Sequence, residues 1–258
     1  ADGNEIYLRD ESRSRGSATD FDDKDWFGIM KAAWFTNELV EKHAAIMDKS
    51  DPDKKVALIV DEWGTWFDNE PGTNPGFLYQ QNTLRDAVSA AISLNVFNNH
   101  ADRVRMANIA QTINVLQAMA LTREEQLVLT PTYYVYEMYV CHHDATLVET
   151  DIQAEHYTYQ EEEIPGLHVT ASVDAGGAVH VSLTNPDPGH SLSAEIDLGG
   201  LAERAVSGNV VTSGSMTDLN DFGQEPKVCL RPFSDFTIRD GKLLAQLPPM
   251  SVVTIRCE

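Results

Sequence analysis

The sequence predicts an α/β segment followed by an all-β segment, and three observations carry that prediction. Residues 25–49 place apolar side chains on one helical stripe. Two strand-like runs, 56–60 and 103–110, flank a second helical pattern over 83–97. From about Thr146 the chain breaks into short alternating runs separated by Gly, Pro, Asn and Asp. At 258 residues the chain is long enough to bury a substantial core. Its 40 acidic and 19 basic side chains give a formal charge of −21, which repels phosphates and anionic head groups. Nucleic acid and membrane surfaces are therefore disfavoured as partners, and no stretch approaches the roughly 18 apolar residues of a membrane span.

Residues 1–24 are polar, lack periodicity and read as loop. With Asp23 or Asp25 as its cap, a helix then carries Trp26, Ile29, Met30, Ala33, Trp34, Leu39 and Val40 on its stripe. Asp51-Pro52-Asp53 stops it near Lys49. Val56 to Val60 form a continuous apolar run, expected as a strand buried on both faces. That run ends in Asp61-Glu62-Trp63-Gly64, and a long loop rich in Gly, Pro and Asn reaches Gln81, a length that suggests function. A helix over 83–97 and a strand from Arg103 to Ala110 complete a βαβ unit, whose right-handed crossover makes its strands parallel. A mainly helical stretch is expected to follow as far as Ala118, and another helix over Thr132 to His143. The short runs after Thr146 predict an antiparallel sandwich or jelly roll, with Glu161, Glu162 and Glu163 as a solvated linker. The organisation is thus 1–145 and 146–258.

Ligand sites in parallel α/β folds lie beyond the carboxyl ends of the strands, where loops gather polar groups. Glu62 stands where the first such strand ends. Burying a carboxylate there is costly without a partner, so it needs either a neighbour or a purpose. Asp61 would point to the opposite side if strict alternation persists. Trp66, in the polar loop, offers a flat face for a sugar ring, whereas Trp63 reads as packing. Asn108 and Gln111, at the second strand's end, supply neutral groups for hydroxyls. The histidines have no metal-ligand spacing, and there is no GxSxG, GxGxxG or phosphate loop. No metal and no cofactor is expected. Cys141, Cys229 and Cys257 are scattered and read as reduced thiols, which suits the cytoplasm.

The stretch 56–119, VALIVDEWGTWF through NIAQTINVLQAM, resembles the retaining α-L-arabinofuranosidases of glycoside hydrolase family 51. GSATDF at 16–21, LTPTYYVYEMY at 129–139 and LPPMSVVTI at 247–255 resemble the same family. The resemblance implies the last helices and strands 7–8 of an incomplete (β/α)8 barrel over 1–145, then a jelly-roll-like β-sandwich over 146–258. It implies Glu62 as the catalytic nucleophile, with Trp66 and Gln111 contacting substrate. The implied activity releases terminal non-reducing α-L-arabinofuranosyl residues from arabinan, arabinoxylan and arabino-oligosaccharides, with a homo-oligomer, hexameric in relatives, as the assembly. Family members are longer, and their acid/base Glu lies upstream in a Gly-Asn-Glu motif. Gly3-Asn4-Glu5 has that spelling, but no buried strand precedes it and the family's Trp-Gly context does not follow. The chain is therefore expected to be a carboxyl-terminal fragment that lacks its acid/base and is inactive alone. Two rival readings are a noncatalytic carbohydrate-binding or assembly fragment, and a related retaining glycosidase acting on glucan or xylan.

Overall fold

A computed structural model describes residues 15–258; the Gly3-Asn4-Glu5 triplet lies outside the described residues. Helix α1, Asp23–Asp48, is capped by Asp22, one residue before the expected capping candidates, whose carboxylate accepts from the Lys24 and Asp25 amides. Strand β1 follows at Leu58–Trp63, then helix α2 at Leu84–Asn99 and strand β2 at Val104–Ile109. β1 and β2 are parallel, as the βαβ reading requires. Thr83 and Asp86 form a capping box at the start of α2. That helix packs against α1 and β2 and is buried nearly all round. Ala87, Ala90 and Ala91 keep it slim enough to sit between layers.

Two expectations for the first half need correction. β1 is covered on one side only among the described residues: Val60 and Trp63 pack with Val40, Phe97 and Val104, while Ile59 is 47% and Met106 53% exposed. The apolar run suits a doubly covered parallel strand, yet only its helix side has a partner here. The stretch after β2 is not helical. Asn114 and Leu116 adopt positive φ, which breaks any helix, and Leu116 turns inward. A hairpin follows instead, β3 at Ala120–Arg123 and β4 at Gln126–Leu129. Ala118 and Leu121 join Phe222 in a small cluster, so the apolar spacing that mimics a helix serves a loop and a strand.

Helix α3 spans Pro131–Tyr139 and ends in a tight turn, Val140–His142. The remaining strands are β5 Thr146–Val148, β6 His156–Tyr159, β7 Glu162–Pro165, β8 His168–Val173, β9 Val179–Asn185, β10 Leu192–Asp197, β11 Ala205–Val211, β12 Arg231–Pro232, β13 Phe236–Arg239, β14 Lys242–Leu247 and β15 Ser251–Cys257. Glu162 and Glu163 belong to the β6–β7 hairpin rather than to a linker, their carboxylates still exposed. An antiparallel sheet ordered β12-β11-β15-β9-β8-β5 faces a three-stranded one ordered β10-β14-β13. Between them lie Val169, Val181, Leu183, Leu243, Leu247 and Ile255.

The larger sheet is also buried on its far side. β9 alternates Val179, Val181 and Leu183 toward the sandwich core with His180, Ser182 and Thr184 on the opposite face, and every one of these is buried. The second set meets the helices: Asn95 Nδ2 donates to Thr184 Oγ1 at 3.3 Å, and the Tyr139 hydroxyl donates to Asn95 Oδ1 at 2.7 Å. Apolar contacts reinforce this join, because Trp26, Ile92 and Tyr139 share one cluster with Tyr157, Ile164, Val211 and Val252. The helices and the sandwich therefore rest on a common interior. No helix among the described residues is long and apolar enough to cross a membrane.

Two histidines in this interior are held neutral by burial, and the fold is expected to weaken in acid. His142 lies between two hydroxyls, Nδ1 2.7 Å from Ser172 Oγ and Nε2 2.7 Å from Ser182 Oγ, so one nitrogen donates and the other accepts in the neutral ring. Burial, and then the nearby His180 and His143, push its pKa down to about 4. His168 packs against the Trp34 ring at 5.1 Å, and burial pushes it down to about 3 against an opposing hydrogen bond to the Pro165 backbone. The unfolded chain protonates both near pH 6.5, where the native state does not. Each histidine thus contributes stability that is complete above about pH 6.5 and lost progressively as pH falls toward the native values, on the order of 3 kcal/mol by pH 4. Urea unfolding at pH 7, 5.5 and 4.5 is expected to show this decline, and His142→Asn to make it shallower.

Candidate active site at the carboxyl ends of the parallel strands

Glu62 is the penultimate residue of β1 and is half-buried. Its carboxylate has no hydrogen-bond or ion-pair partner among the described residues. Asp61 beside it is exposed. Strict alternation, the condition for placing Asp61 and Glu62 on opposite sides, does not persist here: the pairing slips between Val60 and Trp63, and both of those residues are buried on the helix side. Trp63 is core, its ring edge-on to Phe97 at 5.3 Å and stacked over Tyr136 at 6.3 Å.

Beyond β1 burial alternates along the chain. Thr65 and Phe67 are buried at 2% and 1% exposure, while Trp66 between them stays half-exposed. Anchoring its two neighbours turns Trp66 toward the surface. Arg15 covers one face of the indole, its guanidinium 4.0 Å from the ring centroid. The long loop is tied at its base: the Phe67 amide donates to Gln80 Oε1 at 2.8 Å and the Glu70 amide to the Tyr79 carbonyl at 2.9 Å. Arg85 lies over the Phe67 ring at 3.9 Å and donates to the Ser17 carbonyl at 3.0 Å, which fastens the GSATDF segment under the loop.

Gln111 and Asn108 stand at the end of β2 and are exposed. The Ala110 amide donates to the Trp63 carbonyl at 2.9 Å, so the chain segments carrying Glu62 and Gln111 lie side by side. Glu62, Trp66 and Gln111 are thereby gathered at one end of the parallel pair, without a hydrogen bond from Glu62 to either of the others.

Sequence reasoning missed the polar layer beneath this surface. The Thr65 hydroxyl donates to Asp86 Oδ1 at 2.5 Å, and the Thr83 amide donates to Asp86 Oδ2 at 2.8 Å. Burial raises the Asp86 carboxyl above its ordinary range, and Arg85 together with the bonds from Thr65 and Thr83 opposes the rise. Gln117, fully buried, accepts from the Thr65 amide at 2.8 Å and donates to the Asp86 carbonyl at 2.7 Å. The Thr83-Leu84-Arg85-Asp86 spelling is a capping-box signature readable in advance. A lone Gln between Leu116 and Ala118 gives no comparable signal.

Comparison with known proteins brings relatives to this geometry. A family model described as the α-L-arabinofuranosidase C-terminal domain matches residues 61–251. The chain is 44% identical over 248 residues to an intracellular exo-α-L-arabinofuranosidase of Bacteroides ovatus, covering 96% of this chain and 48% of the relative. A crystal structure of the family 51 arabinofuranosidase from Xanthomonas axonopodis pv. citri superposes with a TM-score of 0.95 at 40% identity, covering 98% of this chain and 51% of that one. An α-L-arabinofuranosidase from Thermotoga maritima, solved as an arabinose complex, shares the fold with a TM-score of 0.77 at 21% identity, over 92% of this chain and 51% of that one. The chain thus spans about half the length of the relatives it matches.

Proposed function

This chain belongs to the α-L-arabinofuranosidases of glycoside hydrolase family 51, and from that premise we propose that Glu62 is the nucleophile of a retaining hydrolysis. The observation that carries the reading is a half-buried carboxylate without a partner among the described residues, at the carboxyl end of a parallel strand, in the segment that leads into Trp66. The Glu62 carboxylate attacks the anomeric carbon and forms a glycosyl ester, while a second carboxylic acid gives its proton to the departing oxygen. That second group then takes a proton from water, whose oxygen displaces Glu62 and restores the original anomeric configuration. Such a pair stands about 5–5.5 Å apart, and we assign the partner to polypeptide outside residues 15–258. Trp66 gives a ring face to the sugar, and Gln111 an amide to its hydroxyls.

In this reading the substrates are terminal non-reducing α-L-arabinofuranosyl residues of arabinan, arabinoxylan and their oligosaccharides. The protein works inside the cell, as the name of the Bacteroides ovatus relative describes that enzyme, and as a homo-oligomer. Residues up to 145 form the end of a (β/α)8 barrel with β1 and β2 as strands 7 and 8, and residues from 146 form the sandwich. The open face of β1 and β2, with Ile59 and Met106, supports this reading because parallel strands are ordinarily covered on both sides. The test is stereochemical. Proton NMR of an aryl α-L-arabinofuranoside digest of the complete protein is expected to show the α-anomer first; immediate appearance of the β-anomer would exclude a covalent Glu62 intermediate.

A further inference from the structure

We propose that Gln117 is a positioning residue: its side-chain amide holds the segment that carries Glu62 and Trp66 against the starts of α2 and α3, while its backbone amide holds the segment that carries Gln111. The inference rests on the reading of Glu62 given above. Every hydrogen-bonding atom of this amide is used. Its Oε1 accepts from the Thr65 amide at 2.8 Å, and its Nε2 donates to the Asp86 carbonyl at 2.7 Å and to Thr132 Oγ1 at 3.1 Å. Its own backbone amide donates to the Ala110 carbonyl at 3.1 Å, one residue before Gln111. One residue therefore ties the loop after β1, the first turn of α2, the start of α3 and the end of β2.

The neighbouring backbone is shaped to this amide. Gly64 has φ +141°, and a Cβ there would stand 3.1 Å from Gln117 Oε1 and 3.4 Å from the Ala110 carbonyl. Glycine at 64 lets the chain pass close over Gln117 between Glu62 and Trp66. Asp86 braces the same loop from its other side through the Thr65 hydroxyl. Gln117 has no exposed surface, so it touches no substrate and acts through the residues it holds.

The test uses the complete protein and an aryl α-L-arabinofuranoside. Gln117→Met keeps the length and removes every polar contact of the side chain. It is expected to lower kcat about 100-fold, the scale of a displacement of about 1 Å at reacting groups, with KM nearly unchanged. Gln117→Glu keeps the acceptor for the Thr65 amide, and when protonated it also donates to one of the two remaining partners. Its kcat relative to the unaltered protein is expected to climb as pH falls, a rise the Met variant does not share. If Gln117→Met loses its cooperative melting, the Glu profile decides alone. An unchanged kcat in Gln117→Met overturns the inference, as does a Glu variant whose pH profile parallels that of the unaltered protein. Glu62→Gln measured alongside separates the two readings. Full activity there removes the nucleophile and this inference with it, whereas an inactive Glu62→Gln beside an unaffected Gln117→Met removes only the role of Gln117.

Discussion

Glu62→Gln in the complete protein is expected to lower kcat on an aryl α-L-arabinofuranoside by on the order of 10⁴-fold or more while leaving the melting temperature in place. The amide has the shape of the carboxylate but does not form the ester to the anomeric carbon. Stability is untouched because the Glu62 carboxylate holds no hydrogen bond or ion pair among the described residues that the amide would forfeit. A smaller variant sharpens the assignment. Glu62→Gly leaves room for azide, which attacks from the vacated side and yields the β-glycosyl azide, a product with inverted configuration. Activity close to that of the unaltered protein in Glu62→Gln, or no azide adduct from Glu62→Gly while the general acid still works, would remove Glu62 from the reaction.

Trp26→Ala is expected to cost about 3–5 kcal/mol, the range for truncating a large buried aromatic side chain. Trp26 has no exposed surface and sits in the first turns of α1, yet its indole nitrogen donates to the Pro186 carbonyl, 2.9 Å away and just beyond β9. It thus fastens the helices to the sandwich by packing and by a directed bond. Trp26→Phe refills much of the volume and leaves that carbonyl unpaired, so it should fall between Ala and the unaltered protein. Chemical denaturation followed by far-ultraviolet circular dichroism and by tryptophan fluorescence is expected to give one coincident transition that moves as a unit. Two separated transitions, with only one moved by Trp26→Ala, would show that helices and strands fold apart and that their common interior contributes little.

Residues whose role is local were legible in the sequence. Asp51-Pro52 spells a stop and the Val-rich runs of β9 and β15 their strands, because each signal depends on near neighbours in the chain; Thr83 and Asp86 spell a cap in the same way, though sequence reasoning missed it. Glu62 lies near the end of β1 and Gln111 two residues past β2, positions that strand and turn signals bracket, and Trp66 follows in the loop. What stayed hidden depends on contacts distant in sequence. His180, Ser182 and Thr184 alternate with apolar residues as a half-solvated strand does, and only the helices above them reveal that they are interior. The stretch 111–118 carries helix-like apolar spacing, but Gln117 is bonded to Thr65, 52 positions away, and Leu116 turns left-handed to let it in. Arg103 reads as the opening of a strand and is instead a buried anchor, its guanidinium holding Asp48, Asp51 and the Val56 carbonyl.

The hydroxyl-bearing face of the six-stranded sheet also limits how such a protein can be recombined. A chimera that seats α1, α2 and α3 on a foreign β scaffold with an ordinary aliphatic surface would strand the His142 ring and the Asn95 amide against hydrocarbon. A crossover placed in the loop near residue 145 would therefore inherit a mismatched seam, even though that loop looks like a natural suture. Viable exchanges would have to carry Ser172, Ser182 and Thr184 together with the helices they serve, so the two parts travel through shuffling experiments as one heritable block.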